Sequence, residues 1–381
     1  MKIKRILIHT PDFPSWDGGI STMAYEYASE LSRMGFEVQV VTLYRCKEDL
    51  LWDSSQPFKV HRMRNIKSSI AAYYYQVYKT YRFVTDFVPD LFISLRWDFS
   101  GLVGCALKGL GKYELLQFFH GNDIFSGRRK SSFWEGKFLK SIKGTDHIVS
   151  VSHFTDRLLK DTLSFDVDSY VNNLGVDINK FSPAQDVSFV KNELGLSNKK
   201  IILSLSRLVQ RKGHEQVIKL LPKLSRVVPN ILYVIAGKGS YEGKLRQLVS
   251  ENKVDNLVVF TGFVSEEDKV KYYQACDVYV MLSETNVSSG DIEGFGLTYL
   301  EANACGKPVI AKREGGVIDA VQDGQNGFFI KNDIELLQKL SSLLADEEFY
   351  LARSKDALIY AKSRFSWRES TNNLVNIFSK N

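Results

Sequence analysis

Apolar positions along this chain come in short unbroken runs. RILIHT, EVQVVT, LFISL, LLQFFH and HIVSVS appear in the first half; KKIILSLS, ILYVIAG, NLVVFTGF, DVYVMLS, KPVIA and GFFI appear in the second. Runs this rich in β-branched residues predict strands covered on both faces of a parallel sheet. Between them the period shifts to that of a helix. Residues 21–34 run up to Gly35, a residue suited to close a helix. Residues 66–88 set Ile66, Ile70, Tyr74, Val77, Tyr81, Val84 and Val88 at helical spacing, and that stripe reads as core. Alternation sustained this long predicts βαβ units and an α/β fold of two Rossmann-like, doubly wound sheets. The stretch 175–198, GVDINKFSPAQDVSFVKNELGLSN, breaks the pattern and is placed as the linker. Such sheets take ligands at the carboxyl ends of their strands, so two of them facing each other predict a cleft.

Composition narrows the class. At 381 residues and 44% apolar content the chain holds core for two to three domains. MKIKRILIHT lacks a long apolar run and a small-residue cleavage site, and reads as a first strand. No stretch approaches 18 uninterrupted apolar residues, so no membrane span is expected. Cys46, Cys105, Cys276 and Cys305 are scattered, which fits a reduced, cytoplasmic setting. The net charge of +6 is unevenly spread: residues 128–143 carry six Lys/Arg against one Glu, interleaved with Phe133, Trp134, Phe138 and Leu139. That segment reads as a solvated helix with a buried stripe, or as a basic amphipathic surface that rests on anionic lipid at the inner face of a membrane or receives a phosphate-bearing substrate. No nucleic-acid motif accompanies the charge.

Four constellations carry candidate chemistry. The first is GDIEGFGLTYLEANACGKPVI, with Glu293 and Glu301 eight positions apart. On one continuous helix they would be separated by about 12 Å. Leu297 to Cys305 predicts a short helix stopped by Gly306, and the Gly-Phe-Gly break folds the backbone across its start. Both glutamates can then face one ligand. The N–H groups of Phe295, Gly296 and Leu297 form an anion site there, and carboxylates accept from sugar and ribose hydroxyls. Such a stretch suits a molecule with hydroxyls at both ends and phosphate in the middle.

The second is SRLVQRKGHEQVI after the run IILSLS. Arg207 and Lys212, with Arg211 beside it, stand where two cations could clamp a diphosphate. The third is PSWDGGIS, in which Gly18 and Gly19 allow close backbone approach ahead of a helix. Neither P-loop nor dinucleotide spacing is present. The fourth is QFFHGND, with His120 at a strand end and an irregular polar loop following. Asp166-Val167-Asp168 imitates a metal motif but reads as a helix–strand turn, and no metal site is expected.

Taken in order, these pieces resemble the retaining glycosyltransferases of family 4, which have the two-domain GT-B fold. The resemblance rests on EGFGLTYLE, ACGKPVIAKREGG, DGQNGFF, Ser-Arg-Leu with Lys212-Gly213, Gly18-Gly19, His120-Gly121 and GVDINKF, and covers nearly the whole chain. Within the family it is similar to bacterial mannosyltransferases acting on phosphatidylinositol mannosides and related lipid or polysaccharide acceptors. It implies an acceptor domain at 1–182, a nucleotide-sugar domain at 183–363, and a final helix in 364–381 returning to the first domain. It implies metal-independent transfer of a hexose from a GDP- or UDP-linked donor to a glycan or lipid-linked acceptor. Arg207 and Lys212 would neutralise the diphosphate, helped by the amides of Gly19, Phe295, Gly296 and Leu297. Glu301 would hold the ribose, Glu293 the transferred sugar, Phe263 would border the nucleobase and His120 the reacting face. Members commonly read Asn-Gly-Val-Asp where this chain has Asn173-Leu174-Gly175-Val176-Asp177, so Asn173 is given no role. The competing readings are a non-catalytic sugar-nucleotide binder, a glycoside hydrolase using both glutamates, and a phosphorylase, for which no pyridoxal lysine motif is found.

Overall fold

The computed structural model describes residues 3–14, 18–66, 69–129 and 132–380. The chain divides into two compact units, one of residues 1–174 with 367–381, the other of residues 175–366.

Unit 1 contains one parallel sheet of seven strands: β1 (Arg5–His9), β2 (Glu37–Leu43), β3 (Lys59–Met63), β4 (Leu91–Ser94), β5 (Glu114–Phe119), β6 (His147–Ser150) and β7 (Ser169–Val171). Their order is β3-β2-β1-β4-β5-β6-β7. The chain winds outward from β1 through β3, then restarts on the other side of β1 with β4. That reversal is the switch point where doubly wound sheets bind ligands. Unit 2 repeats the plan with β8 (Lys200–Leu205), β9 (Ile231–Ala236), β10 (Val258–Gly262), β11 (Val278–Met281), β12 (Val309–Lys312) and β13 (Gly327–Ile330), ordered β10-β9-β8-β11-β12-β13. Its switch point lies between β8 and β11.

Central strands are buried throughout, as at Ile231–Ala236 and Leu91–Ser94, because helices cover both faces. The edge strand β3, KVHRM, has no such apolar run and was not legible as a strand. Among the described residues it pairs only with β2, and its Arg62 is taken out of water by Asp49 at 3.1 Å and Asp53 at 2.8 Å. The helix Ser69–Phe87 corrects the expected stripe. Tyr74 is 68% exposed, and Tyr81 and Val88 are exposed too. Of that stripe Val84 is buried, and the rest of the buried face is Ala72, Gln76, Thr80 and Phe87. Thr80 can face inward because its hydroxyl meets His9 Nε2 at 3.1 Å, so a polar residue occupies a core position at little cost. Within the stretch placed as linker, Val187–Glu193 is helical, started by the Asp186 carboxylate accepting from Phe189 N. Among the described residues no helix is long and apolar enough to cross a membrane.

Candidate functional site

In unit 2 the loops leaving β8 and β11 meet at the switch point. The first, residues 206–213, is held tightly by glycines opposite it. A Cβ on Gly237 would stand 1.9 Å from the Ser206 carbonyl oxygen, and one on Gly213 would stand 2.6 Å from that of Leu282. Gly213 is also left-handed, at φ 73°. The second loop doubles back on itself through mutual backbone bonds between Asn286 and Asp291. Its end is then fixed by Gly315-Gly316, since Gly316 N donates to the Glu293 carbonyl at 2.8 Å. A Cβ on Gly315 would lie 2.7 Å from that same carbonyl oxygen. The ACGKPVIAKREGG stretch is therefore a backing plate for Glu293.

These loops set Glu293 Oε2 2.5 Å from Lys212 Nζ and 3.2 Å from Arg211 Nη1. Burial pushes the Glu293 carboxyl up, but Lys212 and Arg211 outweigh it and bring the pKa from 4.5 down to about 2. Sequence reasoning paired Lys212 with Arg207; the structure pairs it with Arg211 across Glu293. Arg207 lies on the same loop with an exposed side chain, and among the described residues no carboxylate stands at ion-pair distance from it.

Phe295 and Gly296 are buried, and Gly296 is left-handed at φ 100°. The helix Leu297–Ala304 begins directly after it, as the Gly-Phe-Gly break predicts. Glu301, one turn in, is only 5% exposed. Its Oε2 accepts from the Tyr273 hydroxyl at 2.8 Å and its Oε1 from Lys269 Nζ at 3.2 Å. Neither glutamate is a solvent-exposed helix-entry residue. Both carboxylates act on Tyr279, whose hydroxyl is pushed well up by burial and further by their charges. Lys269 and Tyr273 were not foreseen; their i, i+4 spacing in KVKYY is a helical pair, but nothing local ties it to a glutamate 28 or more positions away. Phe263, after β10, is 58% exposed.

In unit 1 the remaining candidates lie on loops that leave the carboxyl ends of the strands. Gly18 and Gly19 follow β1 and start the helix Gly19–Arg33; residues 15–17 of that loop lie outside the described residues. Arg62 Nη2 also donates to the Pro14 carbonyl just before it. His120 leaves β5 and its Nε2 donates to the Leu95 carbonyl at 2.8 Å. A carbonyl only accepts, so Nε2 carries the proton and Nδ1 presents a lone pair. Burial lowers the His120 pKa, keeping the ring neutral. The loop after it is not irregular: Asn122–Arg129 is helical, with Asp123 Oδ1 accepting from the His120 and Ile124 amides. Asn173 turns inward, donating to the Val151 carbonyl at 3.1 Å.

Two parallel, doubly wound units with polar loops at each switch point define the GT-B class. Structural likeness agrees: Anabaena HepE, solved with UDP and glucose, superposes with a TM-score of 0.81 at 21% identity over 99% of this chain and 100% of that one. Sucrose-phosphate synthase from Thermosynechococcus elongatus gives 0.81 at 20% identity over 99% and 98%. The chain belongs to the family 4 glycosyltransferases: residues 17–180 match the model Glycosyltransferase Family 4, and residues 186–361 match Glycosyl transferases group 1. A relative in Mycolicibacterium smegmatis, a GDP-mannose-dependent alpha-(1-6)-phosphatidylinositol monomannoside mannosyltransferase, is 34% identical over 54% of either chain; the match thus spans about half of that relative. A monoacylated-substrate counterpart in Corynebacterium glutamicum is 27% identical over 98% of this chain and 97% of that one. The protein is a glycosyltransferase that uses a nucleotide sugar.

Proposed function

We propose that the enzyme transfers a hexose, with retention and without a metal, from a GDP- or UDP-linked donor to a glycan or lipid-linked acceptor. The names of the mannosyltransferase relatives make GDP-mannose the first donor to test. The observation that carries the reading is Glu293 set between Lys212 and Arg211 at the β8–β11 switch point. A donor diphosphate entering there meets two preorganised cations, with the amides of Phe295, Gly296 and Leu297 and the exposed Arg207 as further positive groups. Gly18 and Gly19 are proposed to admit the donor phosphates by close backbone approach. Glu293 then accepts from hydroxyls of the transferred sugar, Glu301 from those of the ribose, and Phe263 borders the base. His120 Nδ1 accepts from a substrate hydroxyl.

As the bond from the anomeric carbon to the diphosphate breaks, the fixed cations stabilise the leaving oxygen. The acceptor oxygen bonds to the same face of that carbon, and its proton passes to the departing phosphate. No carboxylate nucleophile is needed. A hydrolase would instead require one carboxyl with a raised pKa to act as acid. Glu293 is shifted the opposite way.

A basic, aromatic surface supports a membrane-side acceptor. Phe133 is 63% exposed, and Lys137 Nζ sits 5.4 Å from its ring and 5.9 Å from that of Tyr73. Part of the basic segment 128–143 lies outside the described residues. Loss of sedimentation with anionic vesicles in Lys137→Glu is expected; unchanged sedimentation removes this element.

The test is donor consumption with candidate lipid and glycan acceptors, in the presence of EDTA, with the product's anomeric configuration read by NMR. An α-linked product from an α-linked donor, formed despite chelation, is expected. Inversion, or activity that returns only with added divalent cation, contradicts the mechanism. Consumption that yields only free sugar points to hydrolysis.

A further inference from the structure

Glu301 is held by two donors from a single helix. Lys269 and Tyr273 open the helix Lys269–Ala275 one turn apart, and therefore share a face. Each reaches a different oxygen of the same carboxylate, Oε1 and Oε2 respectively. The ion pairs continue outward: Lys269 Nζ also meets Glu266 Oε1 at 2.9 Å, and Glu266 Oε2 is met by Lys180 at 3.3 Å. The buried Phe181 ring lies 5.9 Å from Lys269 Nζ and 5.8 Å from the Tyr273 ring. Two positive and two negative side chains thus alternate from Lys180 to Glu301.

A carboxylate this buried is costly unless a countercharge stands against it. Lys269 supplies that charge, and its own side chain is only 12% exposed. Burial lowers the Lys269 pKa, yet Glu301 and Glu266 outweigh it and raise the value, so the ammonium stays charged. With one donor on each oxygen, Glu301 cannot rotate freely, and each oxygen retains a lone pair for a further hydrogen bond. One remaining lone pair on each oxygen of a held carboxylate matches in number the two adjacent hydroxyls of a ribose.

We infer that Lys269 and Tyr273 form a positioning pair that aims the Glu301 carboxylate at the ribose diol of the donor, and so set the enzyme's preference for ribonucleotides. This rests on the reading of Glu301 as the ribose holder. Neither residue is a catalytic group; both act through Glu301.

The experiment measures, by calorimetry, binding of GDP and UDP and of their 2′,3′-dideoxy counterparts. It compares wild type, Lys269→Met, Lys269→Arg and Tyr273→Phe. A charged acceptor lost from a hydroxyl pair corresponds to roughly 10- to 100-fold in affinity. Wild type is expected to prefer the ribonucleotide by that factor, Lys269→Met to lose most of it, and Lys269→Arg to keep it. Tyr273→Phe, which preserves the packed ring, is expected to reduce the preference and decides the matter if Lys269→Met does not fold. Full preference in both Lys269→Met and Tyr273→Phe overturns the pair while leaving Glu301's role standing. A wild type that binds dideoxy and ribo forms equally overturns the role of Glu301 itself, and the pair with it.

Discussion

Glu293 is the residue on which the chemistry of unit 2 turns, and its titration gives a direct handle. Its carboxyl falls from 4.5 to about 2 in the folded state, so the unfolded chain binds the proton more tightly. The stabilisation this provides is present above the unfolded value, near 4.5, and is lost as pH falls towards 2. At 17% exposure the side chain keeps most of its interaction, and the full shift corresponds to on the order of 3 kcal/mol. The stability difference between wild type and Glu293→Gln, followed by denaturant unfolding, is expected to grow from pH 2 to 4.5 and then level off. A difference that is flat across that range contradicts the ion-pair geometry. The glutamate pair was legible in the sequence because glycines around Glu293 signalled a turn at a helix start. The donors around Glu301 were not, since Lys269 and Tyr273 reach it only once the fold is closed.

At the level of elements, the parallel strands were readable from their apolar runs, and the helix Leu297–Ala304 from its glycine entry and Gly306 stop. What failed did so where tertiary context decides. β3 carries polar side chains such as Arg62 that are paired only once the fold is closed, and the helix Ser69–Phe87 buries Gln76 and Thr80 while exposing tyrosines. The loops that carry the site make opposite demands on glycine from those of the helices. Gly296 is left-handed, and a Cβ there would stand 2.7 Å from the Tyr299 ring; at Gly315 it would stand 2.6 Å from Thr285 Oγ1. Gly296→Ala and Gly315→Ala are each expected to cost about 1–3 kcal/mol, lowering Tm by roughly 2–4 °C per kcal/mol, and to reduce transfer. Gly243, inside the helix Glu242–Glu251, has open space around its Cβ position. Gly243→Ala is expected to raise stability by about 0.4–1 kcal/mol. A Gly296→Ala or Gly315→Ala protein as stable and active as wild type would show that the loop does not need the backbone it adopts.

For the whole molecule, two units of one architecture carry different chemistry at the carboxyl ends of their strands. Unit 2 presents cations and carboxylates on glycine-fixed loops, whereas unit 1 presents a neutral His120 and the Gly18-Gly19 turn. Unit 2 is proposed to receive a nucleotide diphosphate sugar on Lys212 and Glu293. A thermal-shift titration with GDP-mannose, UDP-glucose and the free diphosphates tests it most directly, because a ligand bound only to the native state stabilises by about 2.7 kcal/mol at 100 times its Kd. At least one nucleotide sugar is expected to raise Tm in the wild type, and the shift to be lost in Lys212→Ala. No shift with any of them, or an equal shift in Lys212→Ala, contradicts it.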